Sequence, residues 1–452
     1  MLSKIPARVS AVVVPLIAMA VLAGPVVAVP TGSAGGGDDG AGLEWMPTAE
    51  CVQRSVPLGP EESRLRRPEA AELIEGGGFD RLVRSFVAEL CAAQDYPSAL
   101  EGATAAAGRL WRHAVDRAQG RTPSGALSAS DDRPLYWARL AEVASIQQWT
   151  PSFALSPSQR ADLVATIDRV GRGQDAIAYS THRPAARRVL VTGFDPFKLD
   201  TDLRNGNPSG AAALALDGRV IETEYGRLEF AAAIFPVRWR DFGAGMVERA
   251  LRPWLADGPD RVDLFATVSV GGPGKFDLEQ TNGAWRGGKV DNESACYLGQ
   301  IPNTAAAAGT EPQWTRSTLP LPEMAAAVPG PFPVNVRTTT DIAPPFFPPL
   351  PVITHCGLPN LPAVPTPDGP PPDAIARAGG GGTYLSNEIA YRATLLRDVS
   401  GSAIPGGHIH VPILEGLPEF GLTGPEFDGN RDAIIAQLTD LLVAAAGSSR
   451  AG

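Results

Sequence analysis

The sequence predicts an α/β protein: a three-layer α/β/α sandwich with a mostly parallel sheet, preceded by a small all-helical N-terminal domain. Two patterns carry this. From residue 47 to about 172 apolar residues recur at three- and four-residue steps, and from Arg187 onward short β-branched runs alternate with helical ones. A third observation bounds it: 452 residues, 44% of them hydrophobic, give ample material for two domains.

Residues 1–28 read as an export signal. Lys4 and Arg8 form a basic start, an apolar run follows from Val9, and Val26-Val27-Ala28 offers a small-residue cleavage site. The alternative is an uncleaved membrane anchor, since the run approaches the ~20 residues that span a bilayer. Internal Pro15, Gly24 and Pro25 favour cleavage, which leaves no stable membrane association. Residues 29–46, rich in Gly, Asp and Ser, form a flexible leader. Export fits the four cysteines, an even number for an oxidising compartment. Three pairings are possible; the favoured one is Cys51–Cys91 with Cys296–Cys356, an N-terminal and a C-terminal pair. The spacing matches no zinc pattern.

The helical domain spans 47–185. Phe79, Leu82, Val83, Phe86, Val87 and Leu90 share one helix face, and similar stripes run through Leu110–Ala118 and Leu135–Ile146. Ser156 caps a last helix, Pro157–Val170, with Pro at its first position. No catalytic constellation falls here. The α/β domain covers 186–450. Val189–Val191 ends in Thr192-Gly193 as a buried parallel strand ends in a loop. Phe230–Phe235 reads as a strand, Phe242–Leu255 as a helix, and Val262–Val270 as a strand. At about 297–377 dense proline marks an insertion beside the active-site face, or else a disordered excursion.

The chemistry gathers near the C-terminus. The glycine run 379–382 delivers Ser386 to a helix start, where serine is first of all an N-cap. A helix N-terminus also suits a nucleophile, because its free N–H groups and dipole favour a developing oxyanion. His408 and His410 lie two apart on a short strand and face the same side. With no third ligand at suitable spacing, one catalytic base and one structural histidine is the economical reading, without metal or other cofactor. A net charge of −10 and the lack of a basic stripe argue against a nucleic-acid partner.

Val189-Leu190-Val191-Thr192-Gly193-Phe194-Asp195-Pro196-Phe197 with Asn207-Pro208-Ser209, then Phe235-Pro236-Val237, Asp291-Asn292, Ser317-Thr318-Leu319-Pro320, Tyr384-Leu385-Ser386-Asn387 and Ile409-His410-Val411-Pro412, resembles pyroglutamyl peptidase I in order and content. That family is a cysteine peptidase that removes N-terminal pyroglutamate through a Cys-His-Glu triad. The resemblance implies His410 as base, Glu279 as orienting acid with Asp277 as fallback, and Phe194, Phe197 and Asn207 about the substrate, a peptide or small amide. Ser386 stands where the family carries cysteine. The family's Arg before the Asp-Asn turn has no aligned match, Arg286 being only near it. The expectation is thus a secreted omega peptidase with a Ser386–His410–Glu279 triad. Backbone N–H groups at the Ser386 helix start and in loop 192–195 would stabilise the oxyanion. Two alternatives stand beside it: an inactive relative that binds a peptide or small ligand, and a serine esterase.

Overall fold

The computed structural model describes residues 49–180, 186–302, 312–345 and 361–448. The expected export segment, the whole of the expected leader and Cys356 lie outside these residues. Among the described residues, no helix is long and apolar enough to cross a membrane.

The N-terminal part is helical: α1 (Pro60–Ser63), a 3-10 turn (Arg64–Arg66), α2 (Pro68–Gly76), α3 (Asp80–Ala92), α4 (Tyr96–Ala118), α5 (Arg133–Gln148) and α6 (Pro157–Val170). The α3 stripe buries Val83, Phe86, Val87 and Leu90. α6 begins at the expected place, with Ser156 accepting from the Gln159 N–H and the Gln159 side chain returning the bond. α5 departs from its expected one-sided stripe. Apart from Gln147 it is buried all round, because α2, α3, α4 and α6 enclose it. The Cys51–Cys91 disulfide ties the leading segment to the end of α3. Cys296 is disulfide-bonded and buried.

The α/β part begins with β1 (Arg187–Phe194), α7 (Pro208–Leu216), β2 (Val220–Thr223) and β3 (Gly226–Phe235). Next come α8 (Trp239–Gly243), α9 (Met246–Leu255), β4 (Leu264–Val270) and β5 (Phe276–Glu279). The single helix expected over 242–255 is two, broken at Gly245, whose φ of 77° no helix interior accommodates. Short strands follow: β6 (Thr281–Gly283), β7 (Trp285–Gly287), β8 (Leu298–Gln300) and β9 (Trp314–Arg316). Then come α10 (Leu321–Ala327), β10 (Val334–Arg337), β11 (Thr340–Ile342), β12 (Val364–Thr366) and β13 (Ala376–Ala378). The chain closes with α11 (Leu385–Val399), β14 (Gly406–Val411) and α12 (Pro425–Ser448).

The central sheet runs β10-β5-β14-β4-β1-β3-β2. Its β3, β1, β4 and β14 are parallel, while β5 runs against β14 and β2 against β3. Helices α7, α10 and α12 cover one face, α9 and α11 the other, each over its own apolar cluster. This is the three-layer arrangement expected. Within 297–377, where an insertion or else a disordered excursion is expected, the described residues carry regular elements of the α/β part. β10 pairs in parallel with β5 as the edge of the sheet, and α10 packs on α12. A four-residue strand between prolines carries too short a pattern to stand out in sequence.

Candidate active site

A cleft of about 550 Å³ opens at the carboxyl ends of β1, β4 and β14, where a parallel sheet leaves its loops free. β14 brings His410 to it, and the antiparallel neighbour β5 supplies the partner. In register His410 faces Asp277, yet its Nδ1–H donates diagonally to Glu279 Oε1 at 2.7 Å. Asp277, the fallback acid, is turned to Lys275 at 3.0 Å and takes no part in orienting His410. Glu279 is fully buried, and its Oε2 has no hydrogen-bond partner. Gly380 explains how the carboxylate fits. A Cβ there would sit 2.1 Å from Glu279 Oε2, so the glycine run lets the chain pass directly over it.

Ser386 lies on the same cleft, 9% exposed, as the second residue of α11. The N-cap is Tyr384, and no side chain caps the helix, so the cap role expected of Ser386 does not hold. The first intrahelical bond runs from the Glu388 N–H to Tyr384 O, which leaves the N–H groups of 385–387 as the first-turn donors. Asn387 anchors this start: its Nδ2 donates to Gly283 O and Trp285 O, each 2.8 Å, and its Oδ1 accepts from the Gly283 N–H at 2.9 Å. Ser386 and His410 share the cleft, but no hydrogen bond joins their side chains. The oxyanion role expected of loop 192–195 is likewise corrected. The Phe194 N–H donates to Ser209 Oγ (3.1 Å) and the Asp195 N–H to Phe235 O (3.0 Å), so both are spent.

Behind Ser386 a recess of about 30 Å³ is lined by Phe194, Phe197, Val237, Val270, Tyr384 and Leu385, with Asn207 and Ser269 as polar members. Phe197 borders both recess and cleft. Asn207 is the N-cap of α7: its Oδ1 accepts from the Ser209 N–H and hydroxyl, and its Nδ2 donates to Asp195 O at 2.8 Å. Arg286 stays away from the cleft; it is buried, paired with Glu388, and lies over the rings of Trp239 and Tyr297. His408 is fully buried, with Thr267 Oγ1 and Ser269 Oγ each 2.8 Å from its ring nitrogens. Burial, and then His410, press its pKa well below the ordinary value, so it stays neutral. It is the structural histidine of the pair.

The opposite wall, loops 195–201 and 289–292, is held by residues that sequence reasoning missed. Arg64 donates to Asp200 at 2.7 Å and to Asn292 O at 2.6 Å. Asn292 Nδ2 donates to Pro196 O at 2.9 Å. Asp195 accepts from Arg139 at 2.9 Å and from Arg172 at 2.7 Å. Although burial pushes Asp168 up, Arg238, Arg172 and Arg139 together hold it well below the carboxylate range. These partners lie up to 228 residues apart, so no local spacing announces them.

The sequence matches the family model of the PA0049 N-terminal domain over residues 44–168, and that of the PA0049 C-terminal domain over 188–311 and 351–415. It is also 35% identical to PA0049 of Pseudomonas aeruginosa, across 90% of this chain and 92% of that protein. The chain belongs to the PA0049 family. The residues matched by the first model include Arg64 and Arg139, which bond the loops of the cleft wall, and those matched by the second include Glu279, Ser386 and His410. Solved structures with partial likeness include a pyrrolidone carboxyl peptidase variant from Pyrococcus furiosus: TM-score 0.35, 18% identity, 57% of this chain and 97% of that one. Pyroglutamyl peptidase I from Bacillus amyloliquefaciens gives a TM-score of 0.33 at 19% identity, over 57% and 97% of the two chains.

Proposed function

We propose that the protein is a secreted amide hydrolase that removes N-terminal pyroglutamate from peptides, with Ser386 as nucleophile. The observation that carries this is the 2.7 Å bond from His410 Nδ1–H to the buried Glu279, which fixes the imidazole tautomer and leaves Nε2 as the base on the cleft that Ser386 borders. The ordered run of pyroglutamyl-peptidase motifs supports the substrate class. The basic and apolar N-terminus and the Cys51–Cys91 disulfide support export.

In this mechanism Ser386 Oγ attacks the scissile carbonyl as its proton passes to His410 Nε2. Glu279 stabilises the imidazolium, and the first-turn N–H groups of α11 receive the oxyanion. His410 then protonates the departing amine, and water, deprotonated by the same nitrogen, releases the acid. The Ser386–His410 hydrogen bond forms as substrate binds, since catalytic bonds often tighten only in the complex. A five-membered lactam exceeds the recess as it stands, so admitting it requires the lining to move, and Phe197 borders both recess and cleft.

The missing Ser386–His410 bond favours a second reading, a binding protein that has lost its nucleophile. One experiment separates them: turnover of a fluorogenic pyroglutamyl amide by wild type, Ser386→Ala and Ser386→Cys. The hydrolase reading expects wild-type turnover and a loss of about 10³-fold or more in the alanine variant. Turnover by the cysteine variant alone would establish the binding protein.

A further inference from the structure

The pair Ser269–His408 has no part in the mechanism above, yet Ser269 lines the recess that the mechanism assigns to the acyl group. Thr267 and Ser269 stand two apart on β4, on the face that α11 covers, and both reach His408 across the parallel pairing with β14. His408 also meets His410 edge-on, with ring centres 4.9 Å apart.

The direction of each proton follows from the partners. Thr267 Oγ1 lies 3.2 Å from Gly407 O and 2.8 Å from His408 Nδ1. The carbonyl can only accept; with the threonine proton directed to it, the threonine oxygen accepts Nδ1–H. A neutral imidazole carries one proton, so Nε2 is bare and takes the Ser269 hydroxyl proton at 2.8 Å. Ser269 has then spent its only donor and keeps oxygen lone pairs for the recess. The other polar members are committed: Asn207 to Ser209 and Asp195, Ser386 to attack.

We propose that Ser269 is a specificity-determining residue whose oxygen, oriented by His408 and Thr267, accepts an N–H from the acyl group in the recess. The site thereby selects cyclic amides over isosteres that bear oxygen or carbon in place of that N–H. The argument deepens the hydrolase reading and rests on it for the placement of the acyl group.

Two measurements test it. The first compares kcat/KM for a pyroglutamyl amide and for its lactone isostere, in which ring N–H is replaced by O. Ser269→Ala should lose about tenfold on the lactam and nothing on the lactone, while Ser269→Thr restores the preference. An equal loss on both substrates, or none on either, overturns the proposal. The second needs no turnover: ¹⁵N NMR of histidine-labelled protein titrated with 2-pyrrolidone. An Nδ1–H tautomer for His408, with an Nε2 resonance that shifts with pyrrolidone in wild type and Ser386→Ala but not in Ser269→Ala, supports it. If that pattern appears in a protein that hydrolyses neither substrate, the hydrolase reading fails and the acceptor stands. An Nε2–H tautomer, or a pyrrolidone shift that survives in Ser269→Ala, overturns the acceptor even in an active enzyme.

Discussion

On one side of the cleft the chain is positioned by close backbone approach; on the other, by buried charge. The C-terminal wall, made by β5, β14 and the start of α11, relies on Gly380 passing over Glu279 and Gly271 passing close to His410, and on Asn387 clasping Gly283 and Trp285. The wall of loops 195–201 and 289–292 is gripped by arginines from the helical region, where Arg139 and Arg172 share Asp195 and Arg64 bridges Asp200 to Asn292. Sterics hold His410 and Glu279 with little tolerance for added atoms. Charge joins segments remote in sequence, and its strength depends on every member being paired.

The largest effect that could break this contrast is on the charged wall. Asp195→Ala leaves Arg139 and Arg172 without that carboxylate in a buried site, and the unfolding free energy in denaturant should fall by about 3–5 kcal/mol. A loss under about 1 kcal/mol would mean the network is solvated and the wall is held otherwise. On the glycine wall the expected damage is to catalysis. Gly380→Ala forces Glu279 and the chain apart, and kcat/KM for the pyroglutamyl amide should drop about 100-fold with a much smaller stability change. Unchanged kinetics in an active enzyme would remove close approach as the explanation for Glu279.

A third effect concerns pH. Asp132, buried with one oxygen accepting the Asn207 N–H at 3.0 Å, is pushed up to about 7 by burial and then by Asp131. Its unfolded value is about 3.9. A raised carboxyl holds more protons folded than unfolded, so its contribution is full below about pH 4 and is lost as pH climbs toward 7. Asp132→Asn cannot ionise and should gain about 4 kcal/mol on wild type between pH 4 and 8, measured as parallel denaturation series. A gap that stays flat with pH would show that Asp132 is not protonated in the folded wall.

Ser156 at the start of α6, the β1 run into Thr192-Gly193, and the order Ser386…His410 were all readable because each is a local pattern, set by capping, β-branching or spacing within one element. The choice of Glu279 over Asp277 needed more. Both lie on one face of a four-residue strand, and only the diagonal reach across to β14 separates them. The same holds for Ser386. Local chemistry made it a cap, but the backbone turns one residue pair earlier, at Tyr384, because Asn387 anchors to the β6–β7 loop.

The sequence alone determined the principal helices and the first sheet strands, that an α/β layer follows a helical one, and that Ser386 and the two histidines merit weighing, because periodicity and turn chemistry act over a few residues; Glu279 entered through the family resemblance. Only the tertiary structure decided that β10 closes the sheet edge, that Arg64 and Asp195 join the cleft to the helical region, and that Ser269 faces the recess. Those outcomes depend on burial and on pairing across hundreds of residues, where free energy is set by the partner that arrives rather than by the residues next along the chain.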